Sequence, residues 1–351
     1  MPKKGGEKVN AGASGTSLLE RLPVELIDRH ISKHLSDKDL ARLSRTSRTM
    51  FSLCHEPLAQ RAVKTLLLHV IKGEEAEALK MINANLRLLF IPSQATAIDY
   101  SGRSYKDYTP FQAALLSHDV TLWRKIEPYF NKLPNGQEEK ARQFKELFPE
   151  DLPKQKSYNF NTLVQVISNS SDADIMAALR KENNDTSICE ALKDFRTDFA
   201  ALAMKETLFN PLHLITTLKI YDEQFTPWSW NQRNLFCNQV IGYIQRFLPA
   251  CHAQALCQGL YSIVIDKNPL RRSLNLQCDA GVYFPLTDLA GLGFDFGVYS
   301  GTGARMQHQH VAATRVESKL LRGYITQIQQ NYLALSNACD RLDNPSRAVT
   351  I

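Results

Sequence analysis

The chain has 351 residues and no run approaching the ~18 consecutive apolar residues of a membrane span. No membrane-spanning helix is therefore predicted. Clustered charge is also missing. Lys and Arg number 42 against 36 Asp and Glu, for a net charge of +6, but they are scattered. They form no basic stripe of the kind that grips phosphate backbones, so nucleic acid is not an expected partner. The 7 cysteines are odd in number and irregularly spaced, which fits a reducing, cytoplasmic compartment rather than a disulfide framework. Residues 1–17 are rich in Gly, Ser, Ala and Lys. They lack the apolar centre of a secretory signal and are expected to form a disordered tail.

Catalytic signatures are equally scarce. Asp295-Phe296-Gly297 spells the kinase metal-binding triplet, but the catalytic loop and lysine strand that must accompany it are absent. Gly291-Leu292-Gly293 and Gly301-Thr302-Gly303 lack the lysine of a phosphate-cradling loop and read as turns. Cys237, Cys251, His252, Cys257 and Cys278 do not supply the closely spaced cysteine pairs of a structural zinc site. Cys251 and Cys257 fall in an apolar helical region, where a small buried hydrophobe is the expectation. His308 and His310 lie on a polar stretch and read as solvated. Neither metal nor cofactor is expected.

What is present is helical periodicity, beginning with Leu18–Leu58. Leu22-Pro23 opens a helix, since proline in the first turn loses no needed N–H. Glu25 suits the positive end of the helix dipole. Leu26, Ile27, Ile31 and Leu35 recur along one face. Ser36 with Asp39 makes a capping-box pattern that starts a second helix carrying Leu40 and Leu43. A third, short helix is expected to carry Met50, Phe51 and Leu53.

This stretch resembles the F-box. The residues that carry the likeness are Leu22-Pro23, Glu25-Leu26, Ile31, Leu35, Asp39-Leu40, Leu43, Arg48 and Phe51. One departure stands out: many F-boxes end in Leu-Trp, whereas Leu58 is followed here by Ala59. The resemblance implies a partner, the Skp adaptor, and through it the cullin and RING subunits of a ubiquitin ligase. It also implies that Leu19, Leu22, Pro23, Leu26, Ile27, Ile31, Leu35, Leu40, Leu43 and Phe51 form the adaptor-binding set.

Beyond the box, residues 60–131 read as helices divided at Gly73, then a turn, then a helix opened by Thr109-Pro110. Thr109-Pro110-Phe111-Gln112-Ala113-Ala114 resembles the signature that opens the inner helix of an ankyrin repeat, with a weaker echo at Asn210-Pro211-Leu212-His213. The two lie too far apart for a regular array. Residues 132–157, with Pro134, Gly136, Pro149 and Pro153 around a charged helix, read as a linker or insertion. Residues 158–342 are expected to form a C-terminal helical domain. Asn183-Asn184-Asp185-Thr186 breaks one of its helices and caps the next, and Pro249 divides its most apolar part. A glycine-rich region that reads as loop or short strands follows after Pro269, and Arg315–Ala338 forms a closing amphipathic helix. Residues 343–351 are a tail.

The expected fold class is all-α: a three-helix F-box packed on an irregular ankyrin-like domain. On the concave side of such a stack, Tyr100, Arg103, Tyr105 and Tyr108 offer aromatic and guanidinium anchors for a substrate protein. Trp228 and Trp230, beside Tyr221, are expected to be core corners. The combination of an F-box with degenerate ankyrin-like helices resembles effectors that Legionella-type bacteria inject into host cells. That likeness implies action in a host cytosol. Two alternatives stand beside the ligase subunit: a helical scaffold whose first helices are only a cap, and an enzyme in residues 206–342 tethered by the F-box.

Overall fold

The computed structural model describes residues 21–150, 152–180, 182, 185–206, 208–275 and 310–343. These are mostly helical. The glycine-rich stretch, with its Asp-Phe-Gly triplet, glycine pairs, Cys278 and His308, lies outside the described residues, as does Leu19. The chain divides into two compact units between Ala62 and Val63.

In the first unit, Pro23 stands at the N-cap, with extended ψ of 140°, rather than inside the first turn. The helix it opens is uneven. It runs as α1 (Val24–Leu26), widens to π geometry over Ile27–Ile31 and tightens to 3-10 over Ser32–His34. Ser36 caps α2 (Asp37–Leu43): its hydroxyl accepts from Asp39 N at 3.1 Å and donates to Asp39 Oδ2 at 2.7 Å. The expected short third helix is instead α3 (Arg48–Ile71), which is 24 residues long and carries Pro57 inside it. The division between the units falls within it.

The second unit begins where Gly73 turns the chain at φ +68°, a conformation that favours glycine. Next come α4 (Glu75–Ala84) and a small antiparallel pair, β1 (Ala97–Ile98) and β2 (Ser104–Tyr105), with Ala97 opposite Tyr105. The capping box at Thr109 then starts α5 (Pro110–Leu116): Thr109 Oγ1 accepts from Gln112 N at 3.2 Å and Gln112 Oε1 from Thr109 N at 3.0 Å. A corner at His118, with left-handed φ of +59°, leads into α6 (Val120–Phe130).

The segment expected to be a linker is built into the core. Its helix α7 (Gly136–Leu147) buries Ala141 and Phe144, and its one deeply buried cation, Lys140, is paired with Glu127 at 2.7 Å. Composition misled here because a charged helix flanked by prolines gives no sign of a remote carboxylate. Three further helices follow: α8 (Asn161–Asn169), α9 (Asp172–Leu179) and α10 (Ser187–Lys205), the last capped by Thr186 as expected. The apolar centre comprises α11 (Leu212–Glu223), α12 (Trp230–Leu235), a π-helical run Phe236–Ile241, α13 (Gly242–Gln245), α14 (Ala250–Gln258) and α15 (Leu260–Val264). The closing helix α16 (His310–Asp343) is longer than its periodicity predicts. It packs on α7, α11 and α15 through a stripe that includes Leu321, Ile325, Ile328, Tyr332 and Leu335.

Candidate docking surface

The first unit sorts its apolar side chains sharply. Ile27 and Leu40 are fully enclosed, with Met50 and Cys54 beside them in the buried set. Ile27 and Leu40 are therefore core residues, not members of a docking set. This corrects the expectation for both, whose side chains are already enclosed within the unit and have no surface left to offer a partner. Leu22, Ile31, Leu35 and Leu43 are half-buried. Pro23, Val24, Leu26 and Phe51 point outward, the last three at 56%, 42% and 60% exposure.

Arg61 holds this arrangement. Its guanidinium donates to Leu35 O at 2.9 Å, Ser32 O at 2.6 Å and Asp37 Oδ1 at 2.5 Å. It thus reaches carbonyls where the first helix ends, Ser32 O among them although that oxygen also accepts from Leu35 N, and it brings a cation to the negative end of that helix. Nothing in the local sequence marks Arg61, because its partners lie far back along the chain. By contrast Arg42–Asp39, at 3.2 Å and largely exposed, contributes little.

The second anticipated surface is partly taken into the fold. Tyr105 is buried, and its hydroxyl donates to Asp99 Oδ2 at 3.1 Å. Arg103 donates to Glu206 O at 2.6 Å and Ala203 O at 3.3 Å, capping the end of α10. Tyr100 and Tyr108 are half-buried, the former under the Lys72 ammonium. The loop closes inward because Asp99 collects Ser101 N, Ser101 Oγ and Arg103 N on one oxygen. The tryptophans divide. Trp228 is core, with its indole N–H donating to Ser168 Oγ at 2.8 Å, whereas Trp230 is 43% exposed and therefore not the core corner expected of it.

Among the described residues of the second unit, His213 and Cys251 are engaged in the fold. His213 Nδ1 accepts from Tyr158 N at 2.9 Å, so its proton sits on Nε2, facing Glu206 at 3.1 Å. Neither nitrogen has a free lone pair for a substrate. Cys251 is buried against Ser117 O, and burial followed by the charge of Asp119 pushes its thiol well up, away from thiolate. Cys257 is buried too. Among the described residues no cluster of three metal-ligating side chains occurs, and no helix is long and apolar enough to cross a membrane. A small apolar cleft, with room for little more than a water, lies among Phe209, Leu214, Leu248, Leu256, Tyr324 and Ile325. It offers little of the convergent polarity an active site needs.

No protein family, curated protein or solved structure matches this chain.

Proposed function

We propose that the chain is a substrate-receptor subunit of a cullin–RING ubiquitin ligase. It docks on the Skp adaptor through residues 18–59 and holds a target protein on the helical unit that begins at Val63. The observation that carries this is the outward set Pro23, Val24, Leu26 and Phe51, on a unit too small to leave such area in water without cause. Three of these four are positions that the F-box resemblance assigns to the adaptor. Such a subunit forms and breaks no bonds itself; it accelerates transfer by holding target and charged conjugating enzyme together. The ankyrin-like opening of α5 and the likeness to injected bacterial effectors support action in a host cytosol. The enzyme alternative for residues 206–342 would have to rest on groups other than His213 and Cys251, whose polar atoms are engaged within the fold.

The test uses the full chain with purified Skp adaptor. Leu26→Asp with Phe51→Ser should weaken binding by at least about 2 kcal/mol, roughly 30-fold. The thermal midpoint should stay unchanged, because both side chains are already exposed. Undiminished adaptor binding by the double variant, or no binding by the parent chain, would refute the proposal.

A further inference from the structure

Two imidazoles meet inside the second unit. His118 occupies the corner between α5 and α6, and His252 lies on α14; His252 Nε2 and His118 Nδ1 are 3.5 Å apart, and both residues are buried. Both rings carry tyrosines of α16. Tyr332 stands edge-on to His118 with centroids 5.6 Å apart, and Tyr324 edge-on to His252 at 5.5 Å. The Tyr332 hydroxyl donates to Leu115 O, just before the corner. The seat of α16 is therefore paved with two histidines in contact.

That contact needs one nitrogen with a proton and one without. If both rings are charged, N–H faces N–H and the pair repels. The other ionisable groups around it give no relief. Arg103, from the turn before α5, adds positive charge near His118. Asp119, at the start of α6, is taken up by Arg272 at 2.7 and 2.9 Å. Cys251 on α14 is a buried thiol, and Tyr105, Tyr324 and Tyr332 are neutral phenols. Among the described residues no carboxylate bonds either ring. We propose that the His118–His252 pair is an acid-released latch for α16: neutral, it seats the helix, and protonated, it expels it.

The direction follows from linkage. Burial, with Arg103 nearby, depresses His118 from 6.5 to about 4, and burial with the neighbouring His118 holds His252 well below its ordinary value. The packed form thus binds fewer protons than the open one. Its advantage is complete above the open-state value near 6.5 and is lost as pH falls towards 4. Between about pH 7 and about pH 5, opening should increase roughly 20-fold if one imidazole takes up a proton, and by several hundredfold if both do.

Hydrogen exchange on the full chain, corrected for intrinsic pH dependence, reads this segment by segment. The expected result is a loss of protection over residues 320–339 of at least roughly 20-fold between those pH values, with α10 retaining its own. His118→Asn, which tolerates the left-handed corner, combined with His252→Gln, should reduce the α16 response to under about threefold while protection at neutral pH persists. If that double variant does not fold, His118→Asn alone should leave a one-proton response. Unchanged α16 protection in the parent chain at about pH 5 would overturn the latch. So would loss of α10 in step with α16, or an undiminished acid response in the variants.

Discussion

Replacing Arg272 by Met should be among the most damaging changes of a single side chain in the protein. Arg272 donates to Asp119 Oδ1 and Oδ2 at 2.9 and 2.7 Å, to Glu75 Oε2 at 2.7 and 3.0 Å, and to Gln254 Oε1 at 3.1 Å. Only 2% of the Asp119 side chain and 14% of that of Glu75 remain in contact with solvent. Methionine fills a similar volume but leaves Asp119 with the Leu122 N–H, at 2.9 Å, as its remaining hydrogen bond. The loss is set less by the attraction removed than by the buried charge stranded, and such strandings cost about 3–5 kcal/mol. At ~2–4 °C per kcal/mol this lowers the midpoint by roughly 6–20 °C. Urea unfolding followed by circular dichroism reads the free energy directly. The pH dependence carries a sign. Burial raises the Glu75 carboxyl, but hydrogen bonds from Lys125 and Arg272 outweigh it, so the folded value lies below the ordinary one. Its contribution is present above the unfolded value and lost as pH falls through the folded one. The gap between parent and variant should therefore narrow in acid. Adding Asp119→Asn to Arg272→Met should recover at least about 1 kcal/mol. A single variant within about 1 kcal/mol of the parent at neutral pH would refute the stranded-charge argument.

Two further changes test the helix starts. Gly136→Ala would place a Cβ 1.8 Å from Phe130 O, a backbone atom that cannot step aside; the expected loss of more than about 2 kcal/mol would appear in the same urea titration. Thr109→Ala removes the cap of α5 together with the buried bond from Thr109 Oγ1 to Gln143 Oε1 at 2.6 Å. It should cost about 1–3 kcal/mol, and Thr109→Ser should restore most of it.

The features legible in the sequence are those written within a few residues. Ser36-Asp39, Thr109-Pro110-Gln112 and Thr186 all cap helices where local chemistry places them, and Gly73 turns the chain where the periodicity breaks. The α16 stripe was legible because a long regular spacing allows one face only. Illegible were the features whose partner is remote. Lys140 and Gln143 make α7 look like a solvated linker until Glu127, Thr109 and Leu89 O are brought to them. Arg272 and Glu75 lie far apart in the chain, as do His118 and His252. The third helix is expected to be short; α3 instead runs on through Pro57, and Val63, Leu66, Leu67 and Val70 are buried beyond it.

The candidate site shows the same division at finer grain. The F-box resemblance places Leu26, Ile27, Leu40 and Phe51 in one docking set. The structure separates them by exposure, and the separation has an energetic meaning. Ile27 and Leu40 have already lost their contact with water, so a partner gains nothing from them except the shape they enforce. Val24, Leu26 and Phe51 have not. Each is already about half covered, so full covering gains roughly half of the ~1.5–3 kcal/mol of a whole side chain. Together they offset only part of the entropy lost when two proteins associate. Pro23 adds rigidity to this edge by fixing the chain at its entry into the first helix. Substitutions at Ile27 or Leu40 would then weaken any docking only through the fold, whereas substitutions at Leu26 or Phe51 would act on docking with the fold intact. That distinction separates a surface that binds from a core that supports it.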